Sequence, residues 1–360
     1  MIIPLINAVF IYRSKGESMT IFDPTAPGAT ELLQKLDDFV ATSPYGVMMQ
    51  SPAWAKVKSN WDSDYIYRTN EGGEITAVLS IISVKQPDGT VFMYAPRGPV
   101  CDIYDVDLVQ DLLTEAETVV KNRGGFLLRL DPEAAYDSTL VEQYRSRGYT
   151  VRSKEISDPK AFSNPRMNMI LDLTGKTEED VLSGFSSRFR GKIRKSYKSG
   201  LTTRRFGVKD EEFRAQMDSF FNLTKIMAER QGISHRPESY FLTLMEAFSN
   251  TQLLMTFDET GEALSGCILV SYNRKCFYIY AASSNEKRNL YPAVQTNFEG
   301  IKYALEMGNT EYDMGGVFEI SAENGLYRFK KEICGEEGLL ELLGEIDVVF
   351  DTEAYAKHVH

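Results

Sequence analysis

The chain has 360 residues, long for one hydrophobic core, so two domains are expected. Its 43% hydrophobic and 25% charged residues are those of an ordinary soluble globular protein, and a formal net charge of −11 argues against a surface coated with cations for nucleic acid. Four widely spaced cysteines, Cys101, Cys267, Cys276 and Cys334, with three histidines and no Cys-x-x-Cys pair, suggest neither a structural zinc site nor a disulfide framework. Reduced thiols in a cytoplasmic protein are the plain reading.

The run Met1 to Phe10 is apolar but too short to span a bilayer, and Arg13 and Lys15 follow it instead of preceding it as in a signal peptide. Translation is expected to begin at Met19, with residues 1–18 an extension. Trp54-Ala55-Lys56-Val57-Lys58 then precedes a β-meander. Tyr65 to Arg68 leads through the turn Asn70-Glu71-Gly72-Gly73 to Ile75–Ile81, and through Pro87-Asp88-Gly89 to Val91–Ala95. The proline-glycine loop Tyr94-Ala95-Pro96-Arg97-Gly98-Pro99 closes it. A helix follows with Leu108, Leu112, Leu113, Ala116, Val119 and Val120 on one face, ended by Gly124-Gly125, and then a buried-type strand from Phe126 to Asp131.

Between Val181 and Lys209 lie nine basic residues and no acid: Arg188, Arg190, Lys192, Arg194, Lys195, Lys198, Arg204, Arg205 and Lys209. Such a run is either a solvated helix face or the place where an otherwise acidic protein meets one polyanion. Met227 to Ile233 leads directly into His235-Arg236-Pro237-Glu238-Ser239-Tyr240, where a helix begun by Pro237 brings Arg236 and Tyr240 together at an end that favours anions. The meander then recurs: Leu253–Phe257, the turn Asp258-Glu259-Thr260-Gly261, Leu264–Ser271, a turn at Asn273-Arg274-Lys275, Cys276–Ala282, a helix Ala293–Met307 and a strand ending at Asp313. Gly315-Gly316 follows, allowing close backbone approach, with Asp313 expected to bond to this turn. Gly325-Leu326-Tyr327-Arg328-Phe329-Lys330-Lys331 starts an aromatic-basic helix, and Leu343 to Phe350 reads as a last strand.

Two copies of one α/β unit are the simplest account, and the order of strands and helices in each resembles the GCN5-related acyltransferase (GNAT) fold. That fold usually holds coenzyme A on a Q/R-x-x-G-x-G/A loop. Val100–Val106 and Asn289–Ala293 lack this pattern, so no coenzyme A, and no other cofactor, is expected. Together the Trp-Ala-Lys-Val-Lys, Tyr-Ala-Pro-Arg-Gly-Pro, His-Arg-Pro-Glu-Ser-Tyr, Tyr-Asp-Met-Gly-Gly and Tyr-Arg-Phe-Lys-Lys segments resemble the Fem/MurM family. Its members transfer amino acids from aminoacyl-tRNA to peptidoglycan precursors.

The resemblance implies two facing GNAT-like domains of mixed sheets flanked by helices, without the coiled-coil arm of some members. Residues 19–166 plus 341–360 form the first domain and 167–340 the second. It implies a cytoplasmic monomer with no membrane insertion, whose partners are the acceptor arm of aminoacyl-tRNA and UDP-MurNAc-pentapeptide. Lys58, Arg236, Tyr240 and Tyr280 match positions that hold the precursor's diphosphate and uridine side. Lys330, with Phe329 before it, matches a functional lysine and is the choice for the oxyanion partner. Asp131 is the candidate for anchoring or deprotonating the incoming ammonium, and Arg97 borders the cleft. The expected reaction is transfer of alanine to the stem-peptide lysine amine, with serine or glycine and a lipid-linked acceptor as alternatives. A coenzyme A-dependent N-acyltransferase and a non-catalytic tRNA- or precursor-binding module are the competing readings.

Overall fold

The computed structural model describes residues 18–359; the apolar run Met1 to Phe10 and most of the expected extension lie outside them. In chain order the strands are β1 Ser18–Ile21, β2 Asp62–Thr69, β3 Ile75–Lys85, β4 Val91–Ala95, β5 Gly125–Leu130, β6 Thr150–Arg152 and β7 Met167–Asp172. They continue with β8 Thr202–Phe206, β9 Thr251–Phe257, β10 Ala263–Tyr272, β11 Lys275–Ser283, β12 Glu311–Val317, β13 Leu339–Glu341 and β14 Glu345–Val349. They make two seven-stranded sheets, ordered β1-β2-β3-β4-β5-β14-β6 and β13-β7-β12-β11-β10-β9-β8.

The repeat is visible in the topology. In each sheet an antiparallel meander (β2-β3-β4, β9-β10-β11) ends in a strand that pairs in parallel with the next one, β4 with β5 and β11 with β12. A parallel pair needs a crossover, supplied by the helices Val106–Arg123 and Pro292–Glu306. The first ends where expected: Gly124 adopts φ 68°, the left-handed conformation of a glycine stop, while Gly125 already belongs to β5. Leu112, Leu113, Ala116 and Val120 of this helix pack on Leu79, Ile81 and Leu128 to form the first core. The second sheet is covered on both faces, by a cluster around Phe298, Ile301 and Tyr312 and by another around Phe220, Phe241 and Leu253. Among the described residues the longest helix is Phe213–Gln231 with 19 residues, and no coiled-coil arm is present.

Two expectations need correction. The strand carrying Asp313 does not end there. β12 runs on to Val317, because Gly315 at φ 74° forms a bulge and Gly316 pairs again with Asn168 of β7. The basic run is not one helix face either. It is divided between the helix Ser187–Lys198 and strand β8, and several of its members are paired: Lys192 with Glu332, Arg204 with Glu212 and Arg205 with Glu306.

The chain returns to the first sheet at its end, where β14 lies antiparallel to both β5 and β6. A buried ionic network fastens it. Arg129 makes two 2.7 Å bonds to Asp347, and Glu345 pairs with Arg129 at 3.1 Å and Arg152 at 2.9 Å. Glu345 also accepts from Ser163 N at 2.6 Å, which fixes the segment entering β7. The turn between β10 and β11 reaches the other sheet's surroundings. Asn273 Nδ2 donates to Ser43 O at 2.6 Å, Arg274 Nη1 to Pro44 O at 2.8 Å, and buried Lys275 pairs with Glu133.

A candidate active-site cleft between the sheets

The cleft has a volume of about 650 Å³ and opens where β11 and β12 part. These strands pair only from Lys275–Glu311 to Phe277–Asp313, so the later residues of each, Tyr278 to Ala281 and Met314 to Gly316, turn to line the space. From the first sheet, Phe92 and Tyr94 of β4 face it.

One end of the cleft is cationic and aromatic. Lys58 sits at the C-terminus of the short helix Pro52–Val57, whose N-cap Ser51 accepts from Trp54 N at 3.3 Å. Its Nζ lies 5.3 Å from the Trp54 ring centre and 5.5 Å from that of Tyr240. Arg236 lies over the same tyrosine ring at 5.4 Å, and the Tyr240 and Tyr280 rings meet edge to face at 5.9 Å. Arg236 immediately precedes the helix Glu238–Ala247, and His235 Nδ1 bonds to the Arg236 carbonyl at 2.9 Å, a structural role. Burial, and then the charge of Arg236, lower the Lys58 ammonium from its ordinary value to about 8. Among the described residues neither cation has a carboxylate partner; both lie over the Tyr240 ring. Two neighbouring cations, Lys58 partly desolvated and Arg236 exposed, favour a multiply charged anion beside them. The indole Nε1 of Trp54, in the same wall, is buried without a partner.

Lys330 occupies the other end, on the helix Gly325–Cys334 capped by Asn324, whose side chain accepts from Tyr327 N at 2.9 Å. Its Nζ donates to the Gly315 carbonyl at 3.1 Å and the Gly316 carbonyl at 2.8 Å. Burial lowers its ammonium to about 8, and the Asp313 carboxylate opposes that shift. Asp313 bonds to the glycine segment as the sequence suggested: Gly315 N donates to its Oδ1 at 2.7 Å.

Lys58, Arg236, Tyr240, Tyr280, Lys330 and Arg97 thus line one cleft, but Asp131 and Phe329 do not. Asp131 is buried with its oxygens taken. Arg97 N donates to Oδ1 at 2.7 Å, and Asn164 Nδ2 and Arg97 Nη1 approach Oδ2 at 2.9 and 3.4 Å. It shapes the cleft wall, since its bond to Arg97 N holds a backbone with φ 56°. Phe329 packs against the core of the second sheet.

Sequence reasoning missed Glu133, Asn164 and Asn168, which line the cleft, and Lys275, fully buried below it. Asn168 carried a faint signal as the polar residue between Met167 and Met169 in a strand whose neighbours are apolar.

The FemAB family model matches residues 33–258 and 256–357 of this chain. Over 337 residues, 91% of this chain and 97% of the other, the sequence is 35% identical to a UDP-N-acetylmuramoylpentapeptide-lysine N(6)-alanyltransferase of Weissella viridescens. It is 27% identical over 394 residues, 89% of this chain and 92% of the other, to a lipid II:glycine glycyltransferase of Staphylococcus epidermidis. The crystal structure of FemX superposes with a TM-score of 0.80 at 24% identity, covering 91% of this chain and 98% of that one. A tandem GNAT protein from the clavulanic acid pathway superposes at 0.54 with 11% identity, covering 92% and 98%. These two similarities bear on the fold, which is a doubled GNAT-like α/β architecture.

Proposed function

The chain belongs to the FemAB family, and from that premise we propose that it is an aminoacyltransferase: it moves an aminoacyl group, alanyl first, from aminoacyl-tRNA to the side-chain amine of the stem-peptide lysine in UDP-MurNAc-pentapeptide. The observation that carries this reading is the polarity of the cleft, with two cations among aromatic rings at one end, without carboxylate partners among the described residues, and a buried lysine at the other. Lys58 and Arg236 take the diphosphate, while Tyr240 and Tyr280 provide faces and edges for its uridine side.

The chemistry is aminolysis of an ester. The neutral amine attacks the aminoacyl carbonyl, a C–N bond forms, and the resulting oxyanion collapses with loss of the ribose oxygen, which leaves as a hydroxyl after taking a proton. An alkyl amine of reference pKa about 10.4 arrives protonated, so it must lose a proton before attack. The Lys330 ammonium stabilises the oxyanion, a role worth about 3 kcal/mol for a well-placed donor. Asp131, with its oxygens occupied, contributes by holding Arg97 and Asn164 in the wall. Phe329 seats the helix that carries Lys330.

The donor's acceptor arm meets the exposed cations Arg188, Arg194, Lys195 and Lys198 on the helix Ser187–Lys198. That helix is tied to the one bearing Lys330 by the 2.6 Å contacts of Lys192 with Glu332, which supports a path from the basic helix to the site of transfer. The domains divide as 19–166 with 341–360, and 167–340. The protein works as a cytoplasmic monomer; among the described residues no helix is long and apolar enough to cross a membrane. The likeness to lipid II glycyltransferases keeps a second reading, glycine transfer to a lipid-linked acceptor. Purified protein supplied with alanyl-, seryl- or glycyl-tRNA and either acceptor separates them: alanine transfer to the soluble nucleotide supports the first reading, and exclusive transfer of glycine to the lipid-linked acceptor supports the second.

A further inference from the structure

We propose, resting on the reading that Lys330 faces the reacting carbonyl, that Asp313 is its positioning residue: it folds the bulge whose two carbonyls hold the lysine ammonium. Asp313 is nearly fully buried and intensively bonded. Asn168 Nδ2 lies 3.1 Å from both of its oxygens, and Gly315 N donates to Oδ1 at 2.7 Å. That last bond closes a turn in which Gly315 takes φ 74°, a conformation that glycine adopts without strain. The turn aims two successive carbonyls, Gly315 O and Gly316 O, at Lys330 Nζ. Pro165 backs the bulge so closely that a Cβ on Gly316 would lie 2.5 Å from its ring. The lysine is therefore held by carbonyls whose direction depends on Asp313.

Hydrogen bonds from neutral carbonyls do not replace hydration of a buried ammonium, so its protonation depends on nearby charge. From β12 that charge is Asp313. On its own helix Cys334 interacts with it, and burial pushes that thiol far up, leaving it neutral. Lys331 and Glu332 on the same helix are directed elsewhere, to Glu336 and Lys192. β7 presents the uncharged Asn168. From β11, Lys275 lies 3.9 Å from Asp313 Oδ2 but is engaged by Glu133 and, at 3.1 Å, by Glu311. The Asp313 charge opposes the lowering of the Lys330 ammonium and is shared with Lys275, which Glu133 and Glu311 supply with further negative charge.

Asp313→Asn is the discriminating change, since the amide oxygen still accepts from Gly315 N while the charge is lost. Lysine labelled with ¹³C at Cε gives a resonance for Lys330, identified by its absence in Lys330→Met, whose pH titration reads protonation without any turnover. Alongside it, kcat for aminoacyl transfer is measured against pH. Asp313→Asn should lower the Lys330 midpoint by about one unit and bring the alkaline limb of kcat down with it. Asp313→Glu, which keeps the charge, should retain both within about half a unit and serves as the folded variant if the amide form is unstable. An unchanged midpoint in Asp313→Asn, or a Glu variant with the midpoint of an uncharged one, overturns the assignment. A lowered midpoint with an unmoved alkaline limb overturns its part in the reaction. A lowered midpoint in a protein whose parent transfers no aminoacyl group supports the coupling and refutes the transferase reading instead.

Discussion

Binding of the precursor should take up a proton at Lys58. In the free protein its ammonium has a midpoint of about 8, lowered by burial and then by Arg236. Burial persists in the complex, but the negative charge of a diphosphate beside the two cations outweighs it and the repulsion from Arg236, so the bound form titrates higher than the free form, and affinity is lost as pH rises through the free-state value. With a midpoint of about 8, roughly nine-tenths of Lys58 is charged at pH 7 and roughly one-tenth at pH 9, so the dissociation constant should rise about tenfold between them. Titration calorimetry of UDP-MurNAc-pentapeptide at pH 7, 8 and 9, in buffers of different ionisation enthalpy, reads both the affinity and the proton uptake. Near pH 8 about half a proton should enter per complex. Lys58→Arg, charged throughout this range, should flatten the dependence. Equal affinity of the parent protein at pH 7 and 9, without proton uptake, would refute the placement of Lys58 against phosphate.

Lys330→Met should lower kcat by about a hundredfold or more while precursor affinity changes little, since its interaction is made mainly in the transition state; parental turnover in steady-state kinetics would remove it from the chemistry. Gly316→Ala drives a methyl to 2.5 Å from Pro165, so thermal unfolding should register a loss of about 1–3 kcal/mol and turnover should fall as the carbonyl at Lys330 shifts. Reversing Arg194, Lys195 and Lys198 to glutamate should raise the apparent KM for aminoacyl-tRNA and flatten its salt dependence without altering precursor affinity, and an unaltered salt slope would assign this face to solvent.

Much of the architecture was legible because its signals are local. Asn70 to Gly73 and Asp258 to Gly261 are turn sequences between alternating strands, and the recurrence of the whole pattern exposed the repeat. The bulge in β12 was not legible: a glycine pair after Asp313 reads as a break, and only pairing with β7, some 145 residues earlier, keeps the strand going. Asp131 was singled out by its place at a strand end, yet its oxygens are filled by Arg97 and Asn164, each more than thirty residues away. The pairing within the basic run was not legible for a similar reason. Its acid partners Glu212, Glu306 and Glu332 lie outside it in sequence and beside it in space. Lys58, Tyr280 and the Arg236–Tyr240 pair come from three separate segments, and beyond the four-residue spacing of that pair no periodicity joins them. Their grouping was carried by motif resemblance, and they do share one end of the cleft.

The most direct test of the account is the product itself. Purified protein, radiolabelled alanyl-tRNA and UDP-MurNAc-pentapeptide are incubated, and the nucleotide product is fragmented by mass spectrometry. The account predicts one added alanine, in amide linkage on the ε-nitrogen of the stem lysine, and no product when coenzyme A thioesters replace the charged tRNA. Alanine released as free acid with the pentapeptide unmodified, or acyl transfer from the thioester, would contradict it.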